Sequence, residues 1–240
     1  MRRLSFLIIA AVLFSSYRVA TVAAGADELP GVPVSQERHH HLVLENSFVK
    51  AYEVEVGPHE STLMHQHLHD YTYVVFGDAD ITNAVAGKPE VKVKMPDLAV
   101  NFSPGPFAHV ATNNGDAPFR NITIELLRPQ GEVKKSYSSL REALATSADE
   151  NSSHEVTVLE TNEVRIVAVA VAAKSNWSAP KDKRNRLVVK TGKIYDTSGL
   201  KEKNSPFPAG MLTWVPAGQG WSMSNTALGV EKLMVLEFKD

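Results

Sequence analysis

The chain has 240 residues, a formal net charge of −2, and charged and apolar fractions near the averages of globular proteins. Its 25 lysine and arginine residues are scattered rather than gathered in a stripe, which argues against a nucleic-acid partner. Cysteine is absent, which excludes disulfides and thiolate metal ligands. A metal site in this chain must therefore be built from histidine, aspartate and glutamate.

The first 26 residues have the pattern of an export signal. The basic pair Arg2-Arg3 precedes an apolar run from Leu4 to Phe14, and small residues from Ala20 to Ala26 offer a cleavage site. The apolar run is too short to cross a bilayer comfortably, and no later run is longer. We therefore expect residues 1–26 to be a signal peptide, with a periplasmic or secreted mature chain that does not bind membranes. An uncleaved N-terminal anchor is the alternative.

Residues 27–42 contain two prolines and end in His39-His40-His41, so they are expected to be an irregular N-terminal extension. The histidine run is interpreted as a solvated tract with incidental metal affinity, and a part in a specific metal site is the alternative.

Residues 43–127 have the pattern of an all-β domain. Apolar and polar residues alternate, or β-branched and aromatic residues cluster, in five short stretches: Val49–Val56, Tyr71–Phe76, Val91–Lys94, Leu98–Phe102 and Arg120–Leu127. Ile122, Ile124 and Leu126 fall on one face of the last stretch. Many short strands separated by glycine and proline turns predict a sandwich or barrel.

Residues 128–154 break this pattern and are expected to form a linker. Ser136 to Ala148 predicts a helix with a capping serine at Ser138 or Ser139. From residue 155 the β pattern restarts as a copy of the first domain. Leu44 matches Leu159 at an offset of 115 positions, and three later residues match at an offset of 112: Pro104 with Pro216, His109 with Trp221, and Asn113 with Asn225. Residues 155–240 are therefore predicted to be a second β domain related to the first by repetition.

The strongest chemical signal is the stretch from His65 to Tyr71. If the stretch is one strand, then His65, His67, His69 and Tyr71 share a face, because alternate residues of a strand point to the same side. Two imidazoles placed two residues apart can bind one metal ion from that side. Neutral imidazole suits zinc, copper, iron and nickel.

Two motifs in the chain resemble those of the cupin superfamily, specifically the bicupins. The first family motif is a glycine, His-x-His, a nearby glutamate and a glycine, matched here by Gly57, His65, His67 and Gly77. The second contains Pro-x4-His-x3-Asn, matched by Pro104, His109 and Asn113. The resemblance implies two tandem jelly-roll barrels, with a metal ion held inside the first by His65, His67 and His109.

The second copy keeps the frame of the motifs, at Gly210, Pro216, Gly218 and Asn225, and lacks the ligands. Pro180 and Asp182 stand in the places of His65 and His67, and Trp221 replaces His109. A tryptophan side chain is only a donor and cannot ligate a metal. We therefore expect a degenerate, metal-free second barrel and one divalent ion per chain: iron, zinc, nickel or manganese.

The family glutamate has no counterpart, since Tyr71 stands four residues after His67 and Asp70 is the nearest carboxylate. A three-histidine site with Tyr71 as a hydroxyl near the substrate is favoured, and Asp70 as a fourth ligand is the weaker option. His69 is either an alternative ligand or general base, or a ring that fills the barrel mouth. Glu125 is an acid or base if it points inward, and otherwise a surface or inter-sheet glutamate.

Three histidines on one side of an ion leave positions open for water, substrate or dioxygen. Such a site resembles those of cupin dioxygenases that cleave C–C bonds or oxidise thiols. We therefore expect an exported metal-dependent oxidoreductase that acts on a small molecule. The alternatives are a non-catalytic periplasmic binding protein and a non-redox isomerase or lyase. Both a monomer and a homodimer are compatible with the sequence.

Overall fold

The computed structural model describes residues 29–147, 149, 151–192, 195–196 and 212–239. The expected signal peptide and Gly210 of the second motif lie outside the described residues. Nearly all of the regular secondary structure in the described residues is β-strand, and it forms two jelly-roll barrels in tandem, which confirms the predicted fold class. Across the described residues, no helix has the length and apolar character required to cross a membrane.

The first barrel consists of two five-stranded sheets, with strand orders β1-β4-β9-β6-β7 and β2-β3-β10-β5-β8. Its strands are β1 (Val32–Pro33), β2 (His40–Glu45), β3 (Val49–Val56), β4 (His65–His67), β5 (Asp70–Phe76), β6 (Ala79–Val85), β7 (Val91–Met95), β8 (Val100–Ser103), β9 (Phe107–Asn113) and β10 (Phe119–Leu126). A 3-10 helix, Val34–Gln36, connects β1 to β2.

The barrel begins earlier than the sequence predicted. β1 pairs with β4, and β2 pairs with β3 over the stretch that starts at His40. Much of the segment 27–42, predicted to be an irregular extension, is therefore built into both sheets of the first barrel.

The second barrel has, in the described residues, a six-stranded sheet of order β11-β12-β13-β19-β15-β17 and a three-stranded sheet of order β14-β18-β16. Its strands are β11 (Lys134–Lys135), β12 (His154–Glu160), β13 (Val164–Val171), β14 (Asn176–Ala179), β15 (Asn185–Lys190), β16 (Tyr195–Asp196), β17 (Leu212–Val215), β18 (Trp221–Ser224) and β19 (Glu231–Phe238).

The linker helix α1 (Leu140–Leu144) is shorter than the predicted Ser136–Ala148. The Ser139 hydroxyl accepts the Glu142 N–H at 3.1 Å and caps the helix, as predicted. The helix cannot start earlier because the backbone of 136–138 is already used: the N–H of Ser136 donates to Val158, and the carbonyl of Ser138 accepts from Val100. Contacts with both barrels thus fix where the helix begins.

The hydrogen bonds of the two motif asparagines repeat between the barrels. Asn113 Nδ2 donates to three backbone carbonyls, those of Val56, Gly57 and Ala117. Asn225 Nδ2 donates to the three corresponding carbonyls, those of Val171, Ala172 and Gly229. The same side chain therefore ties the same turns together in each barrel, as the repetition predicted.

The two faces of β10 have different surroundings. Ile122, Ile124 and Leu126 belong to a hydrophobic core shared with β13 and β19 of the second barrel. At the same contact between the barrels, the ring centroids of Phe48 and Trp214 lie 5.5 Å apart. The alternate residues Asn121, Thr123 and Glu125 are buried on the opposite face, inside the first barrel. The apolar face of β10 thus packs against the second barrel, and its polar face lines the interior of the first barrel.

Candidate metal centre in the first barrel

The structure brings His65, His67 and His109 together inside the first barrel. His65 and His67 lie on β4, and β9 runs antiparallel beside it with His109 directly opposite His65. The ring centroids of His65 and His109 are 4.4 Å apart, and those of His67 lie 5.1 Å from His65 and 5.4 Å from His109. All three rings are buried.

A fourth histidine, His40 on β2, joins this cluster. Its ring is buried, and its centroid lies 4.7 Å from that of His65. Ligand atoms of His40, His65 and His67 lie within 4.8 Å of one another, a group to which His109 does not belong. The interpretation of the histidine run as a solvated tract is therefore wrong for His40, although His41 beside it is exposed.

Each of the four imidazoles has a hydrogen-bond acceptor at Nδ1. The acceptors are the Leu63 carbonyl for His65 (2.9 Å), Asn83 Oδ1 for His109 (2.7 Å), Glu37 Oε2 for His40 (2.6 Å) and Glu125 Oε1 for His67 (3.3 Å). A carbonyl or carboxylate accepts a hydrogen that Nδ1 must carry, so Nε2 of each neutral ring keeps its lone pair. Metal-binding histidines in proteins are held in this way.

Two of these Nε2 atoms lack a partner. Nε2 of His65 and Nε2 of His109 are buried and accept no hydrogen bond. A buried acceptor without a hydrogen bond lowers the stability of the folded chain by about 1–3 kcal/mol. Burial, with the neighbouring His40, lowers the pKa of His65 and of His67 to about 3, and burial beside the other rings lowers the pKa of His109 to about 2. Protonation at neutral pH therefore does not occupy these lone pairs, and a divalent cation fits them.

The stretch from His65 to Tyr71 is not one strand. β4 ends at His67, β5 begins at Asp70, and the two strands belong to different sheets. The shared-face argument therefore fails after His67. His69 lies in the break, is half-buried and is not among the described residues that line the cavity beside the histidines.

Asp70 is not a ligand in this arrangement. Its Oδ1 accepts the Gly105 N–H at 3.0 Å, and its Oδ2 accepts the Gln130 N–H at 3.1 Å. Both carboxylate oxygens thus hold backbone groups of a loop and of the linker. The weaker option of Asp70 as a fourth ligand is therefore wrong.

Tyr71 and Glu125 contact the cluster in different ways. The Tyr71 ring stacks on His67, with centroids 4.3 Å apart and planes 24° apart, and it lines the cavity. Burial raises the pKa of Tyr71, so its hydroxyl stays protonated. Glu125 reaches the cluster through Nδ1 of His67, and burial raises the pKa of its carboxyl group. Geometry thus places Tyr71 at the cavity wall and Glu125 behind a histidine.

The cavity inside the first barrel measures about 170 Å³. All four histidines line it, together with apolar side chains and with amides and hydroxyls such as Asn83, Asn101, Asn121 and Ser103. Among the described residues, neither lysine nor arginine contributes to its lining. The walls therefore offer neutral polar groups rather than positive charge.

In the second barrel, arginine side chains occupy the equivalent region. Arg186 aligns with Tyr71 and is fully buried, donating to Glu237 at 3.0 Å and to Asp182 at 2.6 Å. Arg184 also donates to both carboxylates. Burial raises the pKa of Asp182, but hydrogen bonds from Arg184 and Arg186 outweigh this and lower it. The fully buried guanidinium group of Arg186 thus lies where the first barrel has Tyr71, and Trp221 fills the place of His109.

Two jelly-roll barrels in tandem give the chain the fold of the two-barrel cupins. The chain is similar in structure to salicylate 1,2-dioxygenase from Pseudaminobacter salicylatoxidans (TM-score 0.58, 15% identity, covering 85% of this chain and 77% of that one). It is also similar to a cupin 2 conserved barrel domain protein from Leptotrichia buccalis (TM-score 0.53, 8% identity, 83% and 88%) and to AerE from Microcystis aeruginosa (TM-score 0.51, 9% identity, 85% and 99%). No protein-family model and no curated protein matches the sequence. The resemblance drawn from the motifs is confirmed at the level of the fold.

Proposed function

We propose that the chain is an exported, iron-dependent dioxygenase-like oxidoreductase that acts on a small molecule. One observation carries the proposal: buried, neutral imidazoles whose Nδ1 atoms are held from behind and whose Nε2 lone pairs include two without a partner. Imidazole nitrogen suits iron, and ligand sets of this kind leave positions open for reactants.

Ferrous iron, when bound, supplies the redox chemistry that lets dioxygen react with an organic molecule. His65, His67 and His109 are the side chains that would hold it. The Leu63 carbonyl and Asn83 keep two of these rings in the correct tautomer and orientation. The stacked ring of Tyr71 closes one wall and restricts water. In the overall reaction both oxygen atoms of dioxygen enter the substrate, so no external reductant is needed.

The cavity favours a substrate about the size of one aromatic ring. A cavity of about 150 Å³ holds benzene, and this one measures about 170 Å³. Because its described lining has amides and hydroxyls but neither lysine nor arginine, an uncharged substrate fits better than an aromatic acid that needs a basic side chain. One of the structural neighbours, a salicylate 1,2-dioxygenase variant, is a complex with gentisate. Gentisate is therefore an informative comparison compound.

Oxygen-consumption measurements on the ferrous-loaded chain test the proposal. The panel would contain gentisate, salicylate, neutral dihydroxybenzenes, β-diketones and small thiols. We expect uptake of one dioxygen per molecule consumed with a neutral compound, and loss of uptake in His65→Ala. The exposed neighbour variant His41→Gln serves as the control and should retain uptake. Tight iron binding without uptake on any of these classes would contradict the proposal and favour a binding protein.

Export is part of the proposal and rests on the basic pair and apolar run within residues 1–26. Cell fractionation of the full chain is the test. We expect a processed form in the periplasm or medium, and an unprocessed form in the cytoplasm would contradict export.

A further inference from the structure

We infer that His40 is a fourth metal ligand and that Glu37 is the carboxylate that positions it. This inference rests on the metal site of the proposed function and adds a residue from outside both motifs. The two motifs place their histidines on β4 and β9, whereas His40 lies on β2 in the opposite sheet. The site would thus be closed from both sheets of the barrel.

The backbone of β2 directs His40 inward. His40 pairs with Val54 of β3, and the register shifts between Leu42 and Leu44. A bulge of this kind lets one strand present side chains to different sides along its length. His40 therefore faces the barrel interior, whereas Leu44 packs in the core shared with the second barrel.

Glu37 is a buried carboxylate, and two of the three hydrogen bonds that its side chain accepts lead to this site. Its Oε2 accepts from Nδ1 of His40 at 2.6 Å and from the His39 N–H at 2.9 Å. Its Oε1 accepts the Leu63 N–H at 3.1 Å, and the carbonyl of the same residue accepts from Nδ1 of His65. One carboxylate therefore sets the tautomer of His40 directly and supports His65 through one residue of backbone.

This arrangement replaces the missing glutamate of the first motif. The glutamate of the first motif would bind the ion directly. Here the carboxylate of Glu37 would act through the imidazole of His40, as in carboxylate–histidine–metal units. The ion gains a neutral nitrogen ligand, and the compensating negative charge stays buried behind it. If the ion took six ligands, the four imidazoles would leave two positions for reactants.

Nitrogen NMR of the wild-type chain tests the ligand count without any substitution. The nine histidines are labelled with ¹⁵N, and long-range ¹H–¹⁵N spectra are recorded before and after addition of zinc. We expect the Nε2 signals of four rings to shift, those of His40, His65, His67 and His109. Shifts in the last three with His40 unchanged would overturn this inference alone. The absence of any shifted ring would overturn both this inference and the proposed function.

Zinc affinity, measured by competition with a chelator, gives a second readout. His40→Gln should weaken binding by at least tenfold, and Glu37→Gln by about 10–100-fold, the range measured for carboxylates behind metal-bound histidines. The matched control is His41→Gln, since His41 is the exposed neighbour on the same strand and should bind within twofold of the wild type. Wild-type affinity in both His40→Gln and Glu37→Gln would overturn the inference.

Discussion

The buried arginine of the second barrel provides a quantitative test of how that barrel differs from the first. Arg186 donates Nε to Glu237 at 3.0 Å, one terminal nitrogen to Asp182 at 2.6 Å and the other to the Pro180 carbonyl at 3.3 Å. The substitution Arg186→Met keeps an unbranched apolar stem and removes the charge. It removes a hydrogen-bond partner from Glu237, whose side chain is 8% exposed, and from Asp182, whose side chain is 28% exposed.

Removal of one partner of a buried ion pair lowers the free energy of unfolding by about 3–5 kcal/mol. The lower end applies here because Glu237 keeps hydrogen bonds from Arg165 and Arg184. A loss of about 3 kcal/mol corresponds to a fall in Tm of roughly 6–12 °C, at about 2–4 °C per kcal/mol for a chain of this size.

Thermal unfolding followed by circular dichroism measures the change in Tm. The matched control is Arg120→Met in the first barrel, where Arg120 Nε lies 2.9 Å from Glu55 Oε2, close to the 3.0 Å between Arg186 Nε and Glu237, but both side chains are more than 40% exposed. An exposed pair contributes about 0–1 kcal/mol, so the control should lose less than roughly 4 °C. Equal losses in the two variants would refute the idea that a buried guanidinium stabilises the second barrel.

Three further predictions concern the histidine site of the first barrel and its counterpart in the second. His65→Ala and His109→Ala should each abolish metal binding in elemental analysis while circular dichroism shows a folded chain; wild-type metal content would contradict this. Trp221→His should not create a second metal site, because Asp182 remains bound to arginines, and a second equivalent of metal would refute this. Acidification from pH 7 to 5.5 should lower the Tm of the metal-free chain. Histidines of the unfolded chain take up protons near the ordinary pKa of 6.5, whereas burial holds the pKa of His65 and of His67 near 3 in the folded chain. Each of these two rings therefore lowers the free energy of unfolding by about 1.4 kcal/mol for each pH unit below 6.5. A constant Tm across this range would contradict this reasoning.

Features that follow from local pattern could be predicted from the sequence. β3 spans Val49–Val56 as its alternation predicted, and β10 puts Ile122 and Thr123 on opposite faces. Repeated spacing also predicted equivalent roles for Asn113 and Asn225. These predictions succeed because side-chain alternation and motif spacing are properties of the chain itself.

Features that depend on distant residues could not be predicted. Nothing in Leu68-His69 marks a break, because the break is fixed by Asp70 holding Gly105, which lies 35 positions later in the chain. Likewise, three consecutive histidines look alike in the sequence, and only the pairing of β2 with β3 decides that His40 is the buried one. The sequence offers one signal for the role of His40, which is the carboxylate of Glu37 three residues before it. This spacing becomes informative only when both residues are known to be buried.

The most direct test of the central claim is a crystal structure of the chain grown with cobalt, with the ion located by its anomalous scattering. We expect one strong peak per chain inside the first barrel, bonded to Nε2 of His65, His67 and His109, with His40 as the fourth ligand. The region around Asp182 and Arg186 in the second barrel should hold none. A peak bound only at the exposed part of the histidine run, or a first barrel without cobalt, would contradict the account.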